Sequence, residues 1–190
     1  MTLDLDDPSA VALAVAGAFA GAGLDAALYG GLALAVYGEP RETRDADLAV
    51  ASVSVEAGRD ALEAVGIHTV IAFREVVFGG LSIGRLSLVG GGKLNTVDLV
   101  TPRSPRYAHE MGARCMRGNL DGQPLSVIAP EDFILLKVLS TRDKDLEDAR
   151  TVVAALRGRL DEALMRGEAT TLSREITDHE IARRFAAVLP

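Results

Sequence analysis

Apolar and polar residues follow patterns along the chain that predict alternating helices and strands in its first third. An Ala-rich apolar run with Pro8 in its first turn is typical of a helix, and shorter apolar runs bounded by glycines are typical of buried elements. Residues 45–50 alternate acidic and apolar side chains, which gives a strand two different faces. The predicted elements are helices over 8–22, 31–37 and 54–66 and strands over 24–29 and 45–50.

Three β-like runs follow, separated by the glycine pair at 79–80 and the glycine triplet at 90–92. They predict an antiparallel meander with strands over 69–78, 81–89 and 94–100. A further hairpin is predicted over 114–118 and 124–128, turning at 119–122. From Pro130 onward the pattern is helical, with helices over 130–140 and 142–158 and weaker ones after them.

This order predicts an α/β (α+β) protein that has a mixed β-sheet with flanking helices, followed by a helical region. Its 190 residues and 48% hydrophobic content suit one well-packed body. We expect residues 1–128 to form an α/β core and residues 129–190 to form a C-terminal helical region packed on that core.

Composition and charge exclude several functions. With a net charge of -7 and 4% aromatic residues, the chain has no general attraction for nucleic acid or anionic membranes. The acidic N-terminus and the short apolar run at 10–22 predict neither a signal peptide nor a membrane anchor. The single cysteine, Cys115, excludes an internal disulfide, so we expect a cytoplasmic protein.

Three aspartates are the strongest candidates for chemistry. Asp45 and Asp47 stand two apart on one predicted strand, so their carboxylates point the same way and repel unless a cation lies between them. Mg²⁺ suits one or two carboxylates combined with substrate phosphates. Asp98 lies on another predicted strand; if that strand is the neighbour, three carboxylates meet and can hold two metal ions.

Gly30 and Gly31 stand at the start of the predicted helix over 31–37. Free backbone N–H groups and the helix dipole favour an anion at such a position, and glycine lets the anion come close to the backbone. The sequence therefore predicts that a triphosphate lies between this turn and the metal-binding aspartates.

The stretch YGGLALAVYGEPRETRDADLAV resembles the signature of the nucleotidyltransferase superfamily, which has the polymerase-beta-like fold. Its form is similar to that of small bacterial nucleotidyltransferases related to the abortive-infection toxins of type IV toxin-antitoxin systems. SVIAPEDFILLKVLSTRDKDLEDA is similar to their second motif, a helix that ends in Lys followed by an acidic helix.

The resemblance implies a nucleotidyltransferase-like mixed sheet and transfer of a nucleoside monophosphate from a nucleoside triphosphate to a hydroxyl, with release of pyrophosphate. It implies roles for nine residues. Asp45, Asp47 and Asp98 are the expected metal ligands and catalytic acids, Lys137 is expected near the triphosphate, and Gly30, Gly31, Arg41, Asp145 and Asp148 are expected to help bind the nucleotide. Toxin members act on tRNA, so tRNA is an expected acceptor and a cognate antitoxin an expected partner.

Several alternatives stay open at the level of sequence. Asp145 and Asp148 have the pattern of an exposed charged helix face, and Lys137 that of a lysine whose stem lies along a core helix. A locally basic stretch, opposed along the sequence only by Glu110, is either an RNA-docking strip or a solvated surface balanced by acids elsewhere in the chain. This basic stretch consists of Arg103, Arg106, Arg114 and Arg117. For the whole protein, the alternatives are an antibiotic-type nucleotidyltransferase that acts on a small molecule, and a non-catalytic nucleotide-binding domain.

Overall fold

The computed structural model describes residues 3–189, which form eight helices and a seven-stranded sheet. The helices are α1 (Pro8–Gly21), α2 (Gly30–Val36), α3 (Val55–Ala64), α4 (Pro105–Ala113), α5 (Pro130–Leu139), α6 (Asp143–Ala155), α7 (Glu162–Glu175) and α8 (Ile181–Ala186). The strands are β1 (Ala26–Tyr29), β2 (Ala46–Val50), β3 (Thr69–Phe78), β4 (Leu81–Gly90), β5 (Lys93–Pro102), β6 (Met116–Leu120) and β7 (Gln123–Val127).

The sheet is mixed, with strand order β3-β4-β5-β2-β1-β7-β6. The meander β3-β4-β5 and the pairs β1-β2 and β6-β7 are antiparallel, whereas β2-β5 and β1-β7 are parallel. The antiparallel meander and the α/β (α+β) class predicted from the sequence are therefore confirmed. The pairing of β2 with β5 also confirms that the strand with Asp98 neighbours the strand with Asp47.

Helices cover the two faces of the sheet with different partners. On one face, Gly58 of α3 packs closely against Phe19 of α1 and against Leu86 and Leu99 of the sheet. On the other face, Tyr29 of β1 contacts the ring of Phe133 in α5, with centroids 5.5 Å apart. Since successive side chains of a strand alternate between faces, Asp47 and Asp98 project toward the α5 side.

From the end of β7 to Leu189 the chain forms the helices α5 to α8, joined by short loops, and no strand, as the sequence predicts. The tip of the β3-β4 hairpin contacts this region, because the Gly80 N–H donates to the carbonyl of Leu139 at 2.8 Å. The division into two units at residue 128 stays a prediction. Between residues 3 and 189, no helix is both long and apolar enough to cross a membrane.

The sequence interpretation missed helix α4, which lies within the basic stretch. Ser104 caps it by accepting a hydrogen bond from the Tyr107 N–H, and Pro105 occupies its first turn. A Ser-Pro pair is a helix start signal that was available in the sequence.

Acids from distant parts of the chain balance the basic stretch, as its second alternative predicts. Arg103 pairs with Asp178, and Arg114 binds the buried carboxylate of Asp132 through two nitrogens. Arg106 contacts three acids: Glu110, Glu168 and Glu175. Apart from Glu110, these acids lie 18 to 75 residues later in the chain than the arginines they contact, so spacing along the sequence could not reveal them.

Candidate functional site

A row of five side-chain positions crosses the sheet at the level of the aspartates. Tyr29 of β1 pairs in register with Asp47 of β2, and Asp47 pairs with Asp98 of β5. Asp98 in turn pairs with Arg85 of β4, and Arg85 with Phe73 of β3. Partners in register point to the same face, so this row presents two acids flanked by an aromatic ring and a guanidinium group.

Asp47 is the most perturbed acid of the row. Burial, together with repulsion from Asp98 and Asp45, raises its pKa from 3.8 to about 7, although Lys137 opposes the shift. Within residues 3–189, no group donates a hydrogen bond to this carboxylate. The carboxylate is therefore partly buried, repelled by its neighbours and unpaired, as expected of a group that awaits a cation.

The glycine turn makes room for Asp47. Gly30 has a φ of +66°, and a Cβ at this position would overlap the Asp47 carboxylate. A Cβ at Gly31 would crowd the side chain of Thr43. Both glycines are thus required by close packing beside the acids, and neither lines the adjacent cleft. Their predicted contact with phosphates stays a prediction.

Asp45 lies just before β2 and is exposed. Its Oδ1 accepts a hydrogen bond from the hydroxyl of Thr96 on β5 at 2.8 Å. This bond fixes the carboxylate against the strand that carries Asp98, which keeps Asp45 and Asp47 on the same side of the sheet edge.

Asp98 is engaged by Arg85 through two parallel hydrogen bonds, from Nε to Oδ1 at 2.6 Å and from Nη2 to Oδ2 at 2.7 Å. Arg85 also stacks over the Phe73 ring at 5.4 Å. A carboxylate has about four acceptor positions, so this fork leaves two lone pairs of Asp98 for another donor. Asp98 can still accept a proton or a hydrogen bond from a hydroxyl.

Lys137 lies on the opposite wall and is almost fully buried. Its Nζ donates to Asp145 at 2.8 Å, lies 3.3 Å from Asp148, and sits over the Tyr29 ring at 5.0 Å. Arg41 reaches from the loop before β2 to Asp148 at 3.2 Å. The network ties this loop to helices α5 and α6.

The alternative of an exposed Asp145 and Asp148 was wrong, since both are buried. Burial raises the pKa of Asp145, but the charge of Lys137 and hydrogen bonds from Arg142, Lys137 and Ser140 outweigh it and lower the pKa to about 2. Asp145 therefore stays ionised and holds Lys137 and Arg142 in place.

These groups surround a cleft of about 620 Å³, within the size range of small-molecule sites. One part is cationic and one part is apolar. The cationic part is lined by Arg41, Arg44, Lys137, Arg142 and Lys144, and also by the acids Glu42, Asp145 and Asp148; the apolar part is lined by Phe73, Val76, Phe78, Leu81, Ile83 and Val100. Along the parallel strands β2 and β5, Arg44 lies before the aspartates and Val100 lies after them.

In the cationic part, Arg44 and Lys144 are exposed and have no acidic partner among residues 3–189. The Nε atom of Arg41 is buried and has no hydrogen-bond partner there either. Unpaired cations and an unused N–H donor are what a polyphosphate group binds.

The acids fit a divalent cation in part. Asp45 and Asp47 offer hard oxygen ligands, and the unpaired charge of Asp47 would be neutralised by such an ion. Over the part of the chain that the structure describes, however, no three His, Cys, Asp or Glu side chains form a metal-binding group. Asp98 is paired with Arg85, so only Asp45 and Asp47 fit a divalent cation in this arrangement.

Of the nine residues predicted from sequence, seven line this one cleft: Arg41, Asp45, Asp47, Asp98, Lys137, Asp145 and Asp148. Sequence reasoning missed Arg85, although an arginine on the predicted meander next to the Asp98 strand was a visible signal. It also missed Arg44, Arg142 and Lys144 as cleft residues, because they lie among charges that are typical of a surface.

Comparison with solved structures identifies the fold. An antigenic nucleotidyltransferase-like protein from Paracoccidioides brasiliensis matches with a TM-score of 0.52 and 19% identity, over 96% of this chain and 93% of that one. A crystal structure of ANT(2'')-Ia in complex with adenylyl-2''-tobramycin matches with a TM-score of 0.54 and 16% identity, over 86% and 97% of the two chains.

A solution structure of ANT(2'')-Ia, an antibiotic-resistance factor, matches with a TM-score of 0.52 and 16% identity, over 90% of this chain and 97% of that one. The protein thus has a nucleotidyltransferase-like fold. No family model matches the chain, and no curated protein matches it by sequence.

Proposed function

We propose that the protein is a metal-dependent nucleotidyltransferase that transfers a nucleoside monophosphate from a nucleoside triphosphate to a hydroxyl group. The observation that carries the proposal is the unpaired, partly buried Asp47, which stands in register with Asp98 on the neighbouring parallel strand. The nucleotidyltransferase-like fold of its structural neighbours supports it.

Asp45 and Asp47 would hold Mg²⁺, and a second ion would require Asp98 to turn from Arg85. Bound Mg²⁺ would neutralise charge on the phosphates and steady the pyrophosphate as it leaves. Arg41, Arg44 and Lys144 would bind the β- and γ-phosphates, since their charges face the cleft without full compensation. These roles of individual residues are part of the proposal.

The reaction forms one P–O bond and breaks another. The acceptor oxygen attacks the α-phosphorus, the bond from that phosphorus to the bridging oxygen breaks, and pyrophosphate leaves with the electron pair. The acceptor proton passes to a free lone pair of Asp98, whose orientation Arg85 fixes. Lys137 acts through Asp145 and Asp148 by fixing helix α6 against the cleft.

The test uses the purified protein, Mg²⁺ and each labelled nucleoside triphosphate in turn. We expect nucleotide binding that requires both Mg²⁺ and the aspartates, so that an Asp45→Ala, Asp47→Ala double variant loses it. Transfer of label to an acceptor with release of pyrophosphate would establish the chemistry. Binding that persists without Mg²⁺ or in the double variant would contradict the proposed site, and binding without transfer would favour a non-catalytic nucleotide-binding domain.

tRNA as acceptor and an antitoxin as partner, both implied by the sequence resemblance, stay predictions. The small-molecule alternative has an observation in its favour: three of the four arginines of the basic stretch are neutralised by acids. The same assay should include total tRNA as an acceptor. Transfer of label to tRNA would support the toxin-like function.

A further inference from the structure

The apolar part of the cleft adjoins the acid row on the Asp98 side. From Asp98, strand β5 continues to Val100, which pairs in register with Ile83, and Ile83 pairs with Val76. Two residues along a strand cover about 7 Å, so this apolar surface begins within one small molecule's length of the Asp98 carboxylate. We call Phe73, Val76, Phe78, Leu81, Ile83 and Val100 the apolar shelf.

The shelf includes side chains that water contacts. Val76 is 38% exposed and Phe78 is 37% exposed, and both line the cleft. Phe73 and Ile83 are half-buried, whereas Leu81 and Val100 are buried. Adjoining apolar side chains that are exposed inside a cleft favour a binding surface. A ligand that covered these side chains would gain the hydrophobic free energy that the folded protein leaves unused.

Charge selects the kind of ligand that fits the shelf. No acid belongs to it, and the nearest one, Asp98, is already matched by Arg85, so a polycation such as an aminoglycoside finds no complementary charge there. Among the described cleft residues, Arg85 is the only cation that the meander places beside the shelf. The basic stretch, which could have guided RNA, is mostly neutralised by acids. Neither polycations nor polyanions are favoured.

Along the parallel strands β2 and β5, the cation Arg44 lies before the aspartates, whereas the shelf begins at Val100, two residues beyond Asp98. The unpaired cations Arg44 and Lys144 lie on the loop before β2 and on α6, not on the meander that builds the shelf. An acceptor hydroxyl must reach the α-phosphate from the side of the residue that takes its proton. In strand order, Asp98 separates Asp47 from the shelf.

We propose that the apolar shelf binds the acceptor, and that the acceptor is an uncharged small molecule with an apolar or aromatic body and a free hydroxyl. This inference rests on the proposed function and specifies its substrate class. Val76 and Ile83 contact the apolar body, while the hydroxyl lies at Asp98. As in the transfer reaction given above, the hydroxyl proton passes to Asp98 and pyrophosphate leaves.

Val76 and Val77 provide a matched pair of variants. They are neighbours on β3, but only Val76 lines the cleft, whereas Val77 is 57% exposed on the other side. Val76→Lys introduces a charge into the shelf, and Val77→Lys introduces the same charge outside it. Val76→Ser serves as a milder second variant, and circular dichroism checks that each variant folds.

The probes are 2-phenylethanol, tobramycin and total tRNA, each titrated into protein with methyl-labelled valine, leucine and isoleucine. We expect 2-phenylethanol to shift the methyl signals of Ile83 and Val100, with affinity at least fivefold weaker in Val76→Lys and within twofold of wild type in Val77→Lys. Mg²⁺-dependent ATP binding, measured separately, should be unchanged in both variants.

Two results would overturn the inference. One is a shift of these signals by tobramycin or tRNA at lower concentration than by 2-phenylethanol. The other is a loss of ATP binding in Val76→Lys and Val76→Ser as large as the loss of alcohol binding, which would assign the shelf to the nucleoside. If the wild type binds none of the nucleoside triphosphates, the proposed function is contradicted, whereas the alcohol titration reports on the shelf alone. The two failures are therefore distinguishable.

Discussion

Replacement of Asp47 by asparagine should stabilise the metal-free protein and abolish its activity. In the folded protein Asp47 is partly buried beside Asp98 and Asp45, and its pKa rises from 3.8 to about 7. Above pH 7 the folded state must carry a charge that its surroundings disfavour. An asparagine side chain has nearly the same shape and no charge, so the Asp47→Asn substitution removes the repulsion.

The size and sign of the effect follow from proton linkage. Between about pH 4 and pH 7 the folded protein retains a proton on Asp47 that the unfolded chain has released, so stability falls as pH rises through this range. The shift corresponds to at most about 4 kcal/mol at 1.4 kcal/mol per pKa unit. For a chain of this length, that amounts to a rise in Tm of about 10 °C at pH 8.

The assay is thermal unfolding in EDTA from pH 4 to pH 8, with Asp45→Asn as the matched control. We expect the advantage of Asp47→Asn over wild type to be near zero at pH 4 and to grow toward pH 8. Asp45 is exposed, so its variant should change stability by only about 0.5 kcal/mol. An Asp47→Asn variant that is less stable than wild type at pH 8, or one whose effect does not depend on pH, would refute this reasoning.

Three further predictions concern the two walls of the cleft. Lys137→Met should lower the free energy of unfolding in urea by about 3–5 kcal/mol, because it leaves Asp145 and Asp148 buried without their cation, and added Asp145→Asn should recover part of the loss. The stability that Asp145 contributes should be present above about pH 4 and lost as pH falls toward 2, so Asp145→Asn should show a shallower acid transition. Arg85→Ala should tighten Mg²⁺ binding about fivefold in calorimetry by removing a cation beside the acids, whereas Arg85→Lys should not.

Much of the fold was predictable because the local sequence patterns match the helices and strands that the structure forms. Glycines separate the strands of the meander, and the alternation of acidic and apolar residues fixes which face of β2 carries Asp47. Helix α4 was missed because its arginines were interpreted only as a basic stretch. The capping signal at Ser104 was too short to outweigh them.

The candidate site was predictable where its residues share a strand or a recognisable motif. Asp45, Asp47 and Asp98 belong to that class. Contacts between distant segments were not predictable: the fork of Arg85 on Asp98 depends on strand register, and the burial of Lys137 between Asp145 and Asp148 depends on the packing of α5 against α6. A charged side chain gives no sign in sequence of whether its partner is water or an acid many residues away.

The apolar shelf was also invisible in the sequence. Its members come from three strands, and each looks like an ordinary core residue until the register places them beside the acids. The exposure of Val76 and Phe78 inside the cleft, not their identity, indicates a ligand.

The central claim is that Asp45 and Asp47 bind a metal ion that meets the phosphates of a nucleotide. The most direct measurement is an anomalous difference map from crystals grown with Mn²⁺ and a non-hydrolysable ATP analogue. We expect a Mn²⁺ peak in contact with the carboxylates of Asp45 and Asp47, with phosphate density extending toward Arg41 and Lys144. Mn²⁺ absent from these aspartates, with the analogue bound elsewhere, would contradict it.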